Sequence, residues 1–169
     1  PVGKLIVATN ENNILEGFIH DGVYKPGEFR STFSPSMDIQ VASNFERYLF
    51  YLLEEDPKAV SDLMEKFKSE GKIVVSGELL QKVQEDFAAH GVKGEECLQT
   101  ISKYNTETSY LLDPHTACGI AAYESCNTPS EICVTLSTAH PAKFNESIER
   151  CQIQQTFPEQ ISQLFNKPQ

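Results

Sequence analysis

Two short apolar runs constrain this chain more than anything else in it. Lys4-Leu5-Ile6-Val7-Ala8 and Ile132-Cys133-Val134-Thr135-Leu136 read as buried β-strands, apolar throughout instead of alternating. That pattern suits parallel strands covered on both faces. The two runs stand about 125 residues apart, and the sequence between them reads almost wholly as helix and loop. A two-stranded parallel sheet is too small to be stable alone. Either helices bury both strands unaided, or further strands lie upstream in a longer polypeptide, and the second is the expectation here. It agrees with a chain that starts Pro1-Val2-Gly3-Lys4 and has its first methionine at Met37, unlike a freshly translated product. The expected fold class is α/β, helix-rich, with few parallel strands.

The helices announce themselves by spacing. Ile14, Leu15, Phe18 and Ile19 share one face, and Gly22 stops the helix. Residues 22–38 are loop-like, rich in Gly, Pro and Ser. A mainly helical stretch follows at about 44–105. Ser43-Asn44-Phe45-Glu46 has the form of a capping box, with Phe45, Tyr48, Leu49, Leu52 and Leu53 at helical spacing behind it. Asp56-Pro57 supplies an N-cap and a first-turn proline for a helix that buries Val60, Leu63, Met64 and Phe67 and ends at Gly71. Two more helices are expected around 79–87 and 95–104, then strand or turn at 109–112. Asp113-Pro114 opens a helix whose small residues Ala117, Gly119, Ala121 and Ala122 allow close approach of a neighbouring backbone. The second strand breaks at Ser137-Thr138-Ala139-His140-Pro141 and leads into a helix with Phe144 and Ile148 inward. One weak helix is expected over 152–169.

Composition excludes several function classes. The formal charge is −10, with no basic cluster to attract a phosphate backbone, so nucleic acid is not an expected partner. No apolar run approaches the roughly 18–20 residues that span a bilayer, so no membrane partner is expected. The acidic excess within residues 51–100 is most simply a solvated helical surface. Five cysteines, Cys97, Cys118, Cys126, Cys133 and Cys151, lack C-x-x-C spacing and suit neither a disulfide framework nor zinc. They read as reduced, small core residues, which favours the cytoplasm.

Chemistry is expected at two strand ends, Thr9-Asn10-Glu11-Asn12 and Ser137-Thr138-Ala139-His140. In open α/β sheets, ligands bind beyond the carboxyl ends of strands. The same residue types also serve as plain helix caps. His115 and His140 have no second histidine at ligand spacing, and no G-x-S-x-G elbow, P-loop or dinucleotide fingerprint occurs. From the residues alone, the reading is an α/β small-molecule site.

Five ordered motifs carry a resemblance: T-N-E-N (9–12), F-S-P-S-M-D-I-Q (33–40), S-N-F-E-R (43–47), L-L-D-P-H-T-A (111–117) and S-T-A-H-P-A-K-F (137–144). Together they resemble the carboxyl-terminal portion of threonine synthases of the longer fungal and bacterial type. The resemblance implies a partial fold-type-II architecture, with residues 1–169 the distal part of a pyridoxal-phosphate-binding catalytic domain. It implies conversion of O-phospho-L-homoserine and water to L-threonine and phosphate, with pyridoxal 5'-phosphate as electron sink. Thr138 maps to the hydroxyl near the coenzyme's pyridine nitrogen, and Asn10 ends the strand beside the coenzyme ring. Ser36, Asp38, Asn44 and Arg47 fall in motifs on the substrate side, Arg47 as a phosphate partner. The family's Schiff-base lysine belongs to an F-K-D motif upstream, and its phosphate loop precedes the matched region. Neither occurs here, so the chain by itself is expected to be inactive, and Lys143 is not the Schiff-base lysine. The alternative is a non-catalytic threonine-synthase-like protein with a binding or signalling role. The resemblance leaves the oligomeric state open.

Overall fold

The computed structural model describes residues 3–126 and 132–166. Strand β1 (Leu5–Thr9) pairs in parallel with β4 (Phe87–Gly91), in register from Leu5 opposite Phe87 to Thr9 opposite Gly91. Helix α1 (Ile14–Asp21) packs against the pair, as does α6 (Pro114–Cys126). Ile6 and Ala8 join the hydrophobic cluster of α6, whereas Val7 and Ala89 join that of α1. Alternate side chains of β1 thus enter different cores, which is why β1 is apolar throughout.

The remaining elements flank this pair. Helices α2 (Phe45–Leu52), α3 (Pro57–Glu70) and α4 (Glu78–Asp86) surround a small antiparallel pair, β2 (Val23–Tyr24) with β3 (Ile73–Val74). Helix α5 (Gly94–Thr108) packs on α6, and α7 (Asn145–Arg150) packs on α5. A short α8 (Glu159–Ser162) runs into a 3-10 turn at Gln163–Asn166.

Local signals worked where capping chemistry was explicit. Asp56 accepts from the Lys58 and Ala59 amides at 2.8 and 3.2 Å, so α3 starts where the Asp-Pro pair indicates. Gly22 closes α1 at φ +73°, and a β-carbon there would lie 2.1 Å from the Val75 carbonyl oxygen. Only glycine fits that approach.

Five expectations need correction. Residues 132–136 form no strand: Ile132, Val134 and Leu136 are 78–80 % exposed. The partner of β1 is β4 instead, whose start the helix expected around 79–87 had absorbed. Ala88-Ala89 favours helix intrinsically, but tertiary packing between the layers overrides that preference. The capping box at Ser43 does not form either. Asn44 is the residue before α2, in αR geometry and with no side-chain cap bond. Glu46 therefore sits one position short of where the box needs it. The tail, expected as one helix, is broken by the irregular stretch 153–158. Cys97 and Cys118 are buried as expected, but Cys133 is exposed on the 132–136 segment.

Two hydrophobic cores result. One gathers Phe18, Tyr24, Phe45, Leu49, Ile73 and Val83, with Tyr24 stacked on Phe45 at 4.1 Å and Phe18 edge-on to Phe45 at 4.7 Å. The other gathers Val92, Cys97, Ile101, Leu112, Ala117, Cys118 and Ile148. Among the described residues no helix is long and apolar enough to cross a membrane, and no group of three His, Cys, Asp or Glu side chains is placed to hold a metal.

Candidate functional site

The carboxyl end of β1 is where the separated motifs meet. Asn10 and Asn12, both buried, organise the long loop that follows β2. The Asn10 side-chain N–H group lies 2.7 Å from Asp38 Oδ1, 2.9 Å from Thr32 Oγ1 and 3.2 Å from Ser34 Oγ. Its carbonyl oxygen accepts from the Asn12 backbone at 2.9 Å. Asn12 donates to the Arg30 carbonyl at 2.7 Å and accepts from the Arg30 amide at 3.0 Å and from Gln40 at 2.8 Å. Asp38 also accepts from the Thr32 hydroxyl at 2.7 Å and the Thr32 amide at 2.9 Å. Residues 30–40 are irregular apart from a 3-10 turn at Pro35–Met37, so these side chains supply the partners a sheet would otherwise give.

A second carboxylate, Asp113, anchors the other side. Its side chain is 1 % exposed. One oxygen accepts from the His115 amide at 2.9 Å, the Thr116 amide at 3.3 Å and His115 Nδ1 at 3.1 Å. The other accepts from the Thr116 hydroxyl. The backbone bonds are those of an ordinary helix cap, but the two side-chain bonds reach further. His115 Nε2 accepts from the Ser36 amide at 3.1 Å, while Thr116 Oγ1 accepts from the Thr138 amide at 3.1 Å. A backbone amide can only donate, so Nε2 must be unprotonated, and Nδ1 must carry the proton that faces the carboxylate. The Phe144 ring packs on the imidazole, centroids 4.5 Å apart, and Ser147 Oγ donates to the Phe33 carbonyl at 3.3 Å.

Two thiols lie behind this node. Cys118 Sγ approaches Ser34 Oγ at 3.7 Å and Cys97 Sγ approaches the Pro114 carbonyl at 3.4 Å. The neighbouring Cys118 thiol, together with burial, pushes the Cys97 pKa up, so Cys97 is held as a neutral thiol.

With that geometry in view, likeness to known proteins is decisive. A family model described as "Threonine synthase, C-terminal" matches residues 116–169. The chain is 40 % identical over 170 residues to the threonine synthase of Pseudomonas aeruginosa, across 99 % of this chain and 36 % of that protein. It superposes on the crystal structure of PLP-bound threonine synthase from Brucella melitensis with a TM-score of 0.94 at 36 % identity, covering 99 % of this chain and 36 % of that one. The yeast threonine synthase structure gives 0.89 at 34 % identity, covering 98 % and 38 %. The chain corresponds to the carboxyl-terminal portion of threonine synthases. It spans little more than a third of the length of these relatives. Its helix-rich α/β architecture is that of the fold-type-II threonine synthases.

The residues that the threonine synthase motifs single out separate into two groups. Asn10 is hydrogen-bonded to Asp38, and Ser36 is joined to Thr138 through His115, Asp113 and Thr116; the two networks share the 30–40 loop and form one assembly through it. Asn10 is 2 % exposed and its amide is engaged within that assembly. Ser36 and Thr138 are exposed on it. Asn44 and Arg47 lie at the start of α2, beside the aromatic core, and among the described residues no side-chain hydrogen bond links them to the assembly. Asp113, His115 and Thr116 were legible only as motif letters and as a helix start. Nothing in their local spacing points to partners 79 residues away, as His115 is from Ser36.

Proposed function

We propose that this chain is the distal part of a pyridoxal-phosphate-dependent threonine synthase that converts O-phospho-L-homoserine and water to L-threonine and phosphate in the cytoplasm. The observation that carries this reading is the state of Thr138. Its backbone is held by Thr116, while its hydroxyl has no partner among the described residues. The residues fit the coenzyme on this side: a neutral hydroxyl can share a hydrogen bond with a pyridine nitrogen without forcing it to stay protonated, as a carboxylate would.

When bound, the coenzyme supplies an electron sink for carbanion chemistry. The chain's own residues bind and orient. Thr138 sets the hydrogen bond to the ring nitrogen. Asn10 and Asp38 hold the loop that carries Ser36 toward the substrate side. Arg47, exposed on α2 with Asn44 nearby, offers a planar fork of donors to the substrate phosphate, a pairing that is strong when bidentate. The 169-residue chain alone turns over no phosphohomoserine, because it has neither an F-K-D lysine nor the glycine-rich phosphate loop.

The test is phosphate release from O-phospho-L-homoserine by the full-length protein loaded with pyridoxal phosphate. Thr138→Val should lower coenzyme affinity and shift its absorption. Arg47→Leu should raise KM with kcat little changed. A full-length protein that binds the coenzyme yet releases no phosphate would overturn the reading.

A further inference from the structure

We propose that Asp113 is a positioning residue that ties the two walls of this site together, each carboxylate oxygen serving one wall. Resting on the reading above, one wall is the Ser36 turn toward substrate and the other is Thr138 toward the coenzyme. Oδ1 accepts a hydrogen bond from the His115 Nδ1–H, and this fixes the ring so that Nε2 accepts from the Ser36 amide. Oδ2 accepts a hydrogen bond from the Thr116 hydroxyl, and this turns that hydroxyl's lone pair to the Thr138 amide. Each relay is a donor, an acceptor and a single intermediate side chain, and the carboxylate and both intermediate side chains are packed where water competes little: His115 and Thr116 are 7 % and 4 % exposed.

A helix cap alone does not account for this arrangement. Capping α6 needs one oxygen accepting backbone amides, which Asn or Ser would also provide. Only a carboxylate has acceptor capacity for two backbone amides, an imidazole N–H and a hydroxyl together. The pattern also explains two motif letters. A threonine at 116 brings one hydroxyl that both donates and accepts. A histidine at 115 brings a donor and an acceptor on opposite sides of one rigid ring.

The two relays share only their origin, so they are separable. In the full-length protein, Thr116→Val removes the acceptor for Thr138 and should weaken pyridoxal phosphate binding about five- to tenfold, roughly the worth of one hydrogen bond, with KM unchanged. Thr116→Ser restores the hydroxyl and should restore affinity. His115→Asn keeps a donor for Asp113 but cannot reach Ser36. It should raise KM for phosphohomoserine by a similar factor and leave the coenzyme absorption band in place. His115→Gln, whose amide oxygen stands near the Nε2 position, should recover part of the loss. Asp113→Asn retains the cap and should disturb both readouts.

Amide hydrogen exchange reads the same split without ligand. Thr116→Val should deprotect the Thr138 amide and spare Ser36, and His115→Asn should do the reverse. Both variants deprotecting both amides, or neither, would overturn the proposal whatever the kinetics. A split in exchange in a protein that binds no coenzyme would leave the anchor standing and sink the threonine synthase reading instead. A split in exchange without a split between coenzyme affinity and KM would overturn the positioning role.

Discussion

Around Tyr24 and Phe45 the chain is held by ring against ring; around Asp113 it is held by hydrogen bonds that converge on one carboxylate. The aromatic core draws on β2, β3 and four helices, and most of its contacts are non-directional apolar burial. Tyr24, the polar side chain among its fully buried members, accepts from the Ala42 amide at 2.8 Å. The Asp113 region has an apolar core of its own, but its rim is set by acceptors and donors with fixed roles. The difference is one of tolerance. Packing relaxes around a changed side chain, whereas a buried donor deprived of its acceptor has nothing to relax into. A region that supports structure suits the first kind of bonding, and a region that must hold two loops in fixed relation suits the second.

That contrast can be broken by substitution. The largest effect is expected from Asp113→Ala, which strands the imidazole N–H, the Thr116 hydroxyl and two backbone amides in a buried site. The loss should be about 3–5 kcal/mol, read as the denaturation midpoint. Gly119→Ala comes next. A β-carbon there would meet the Thr135 methyl at 2.9 Å, so the 132–138 segment must shift, at a cost of about 1–2 kcal/mol. Because Thr138 rides on that segment, coenzyme affinity should fall along with stability. Phe18→Leu in the aromatic core should cost about 1–1.5 kcal/mol and leave coenzyme affinity unchanged. A drop in affinity there would erase the distinction between the two regions.

The smallest effect concerns pH. Burial, with help from a hydrogen bond to Asp86 at 3.1 Å, raises the Tyr48 pKa from its ordinary value of 10.0. The folded state therefore keeps its proton after the unfolded chain has lost it. Tyr48 contributes stability that is full below pH 10 and declines as pH rises through the folded value. Between pH 9 and 11, the wild type should lose more of its denaturation midpoint than Tyr48→Phe. An equal loss would show that the shift has no bearing on stability.

How much of this was legible in the sequence varies with the range of the forces involved. Asp56-Pro57 and Gly71 fix α3 through contacts within a few residues, and the bounds read for α3 stand, although Val60, Leu63, Met64 and Phe67 are only partly buried. β4 was hidden because its alanines obey packing between layers and not their own preference. Ile132-Cys133-Val134-Thr135-Leu136 has the composition of a strand, but among the described residues it makes no β-ladder. The expectation for Asp113 was right as far as a helix cap goes. Its ties to Ser36 and Thr138 leave no periodic trace, since they join loops whose sequence separation no local rule spans. The motifs that resemble the family name the segments that the node joins and are silent about the node itself.

The node is tested most directly by the protonation of His115. With Asp113 on one side and the Ser36 amide on the other, the ring is the neutral Nδ1–H form. Nitrogen-15 shifts of the full-length protein labelled at histidine, with His115→Gln used to identify the resonances, distinguish the two tautomers. A protonated Nδ1 and a bare Nε2 hydrogen-bonded to the Ser36 amide is the expected result. A proton on Nε2 would leave the Ser36 amide without its acceptor and contradict the arrangement from which both walls of the site are built.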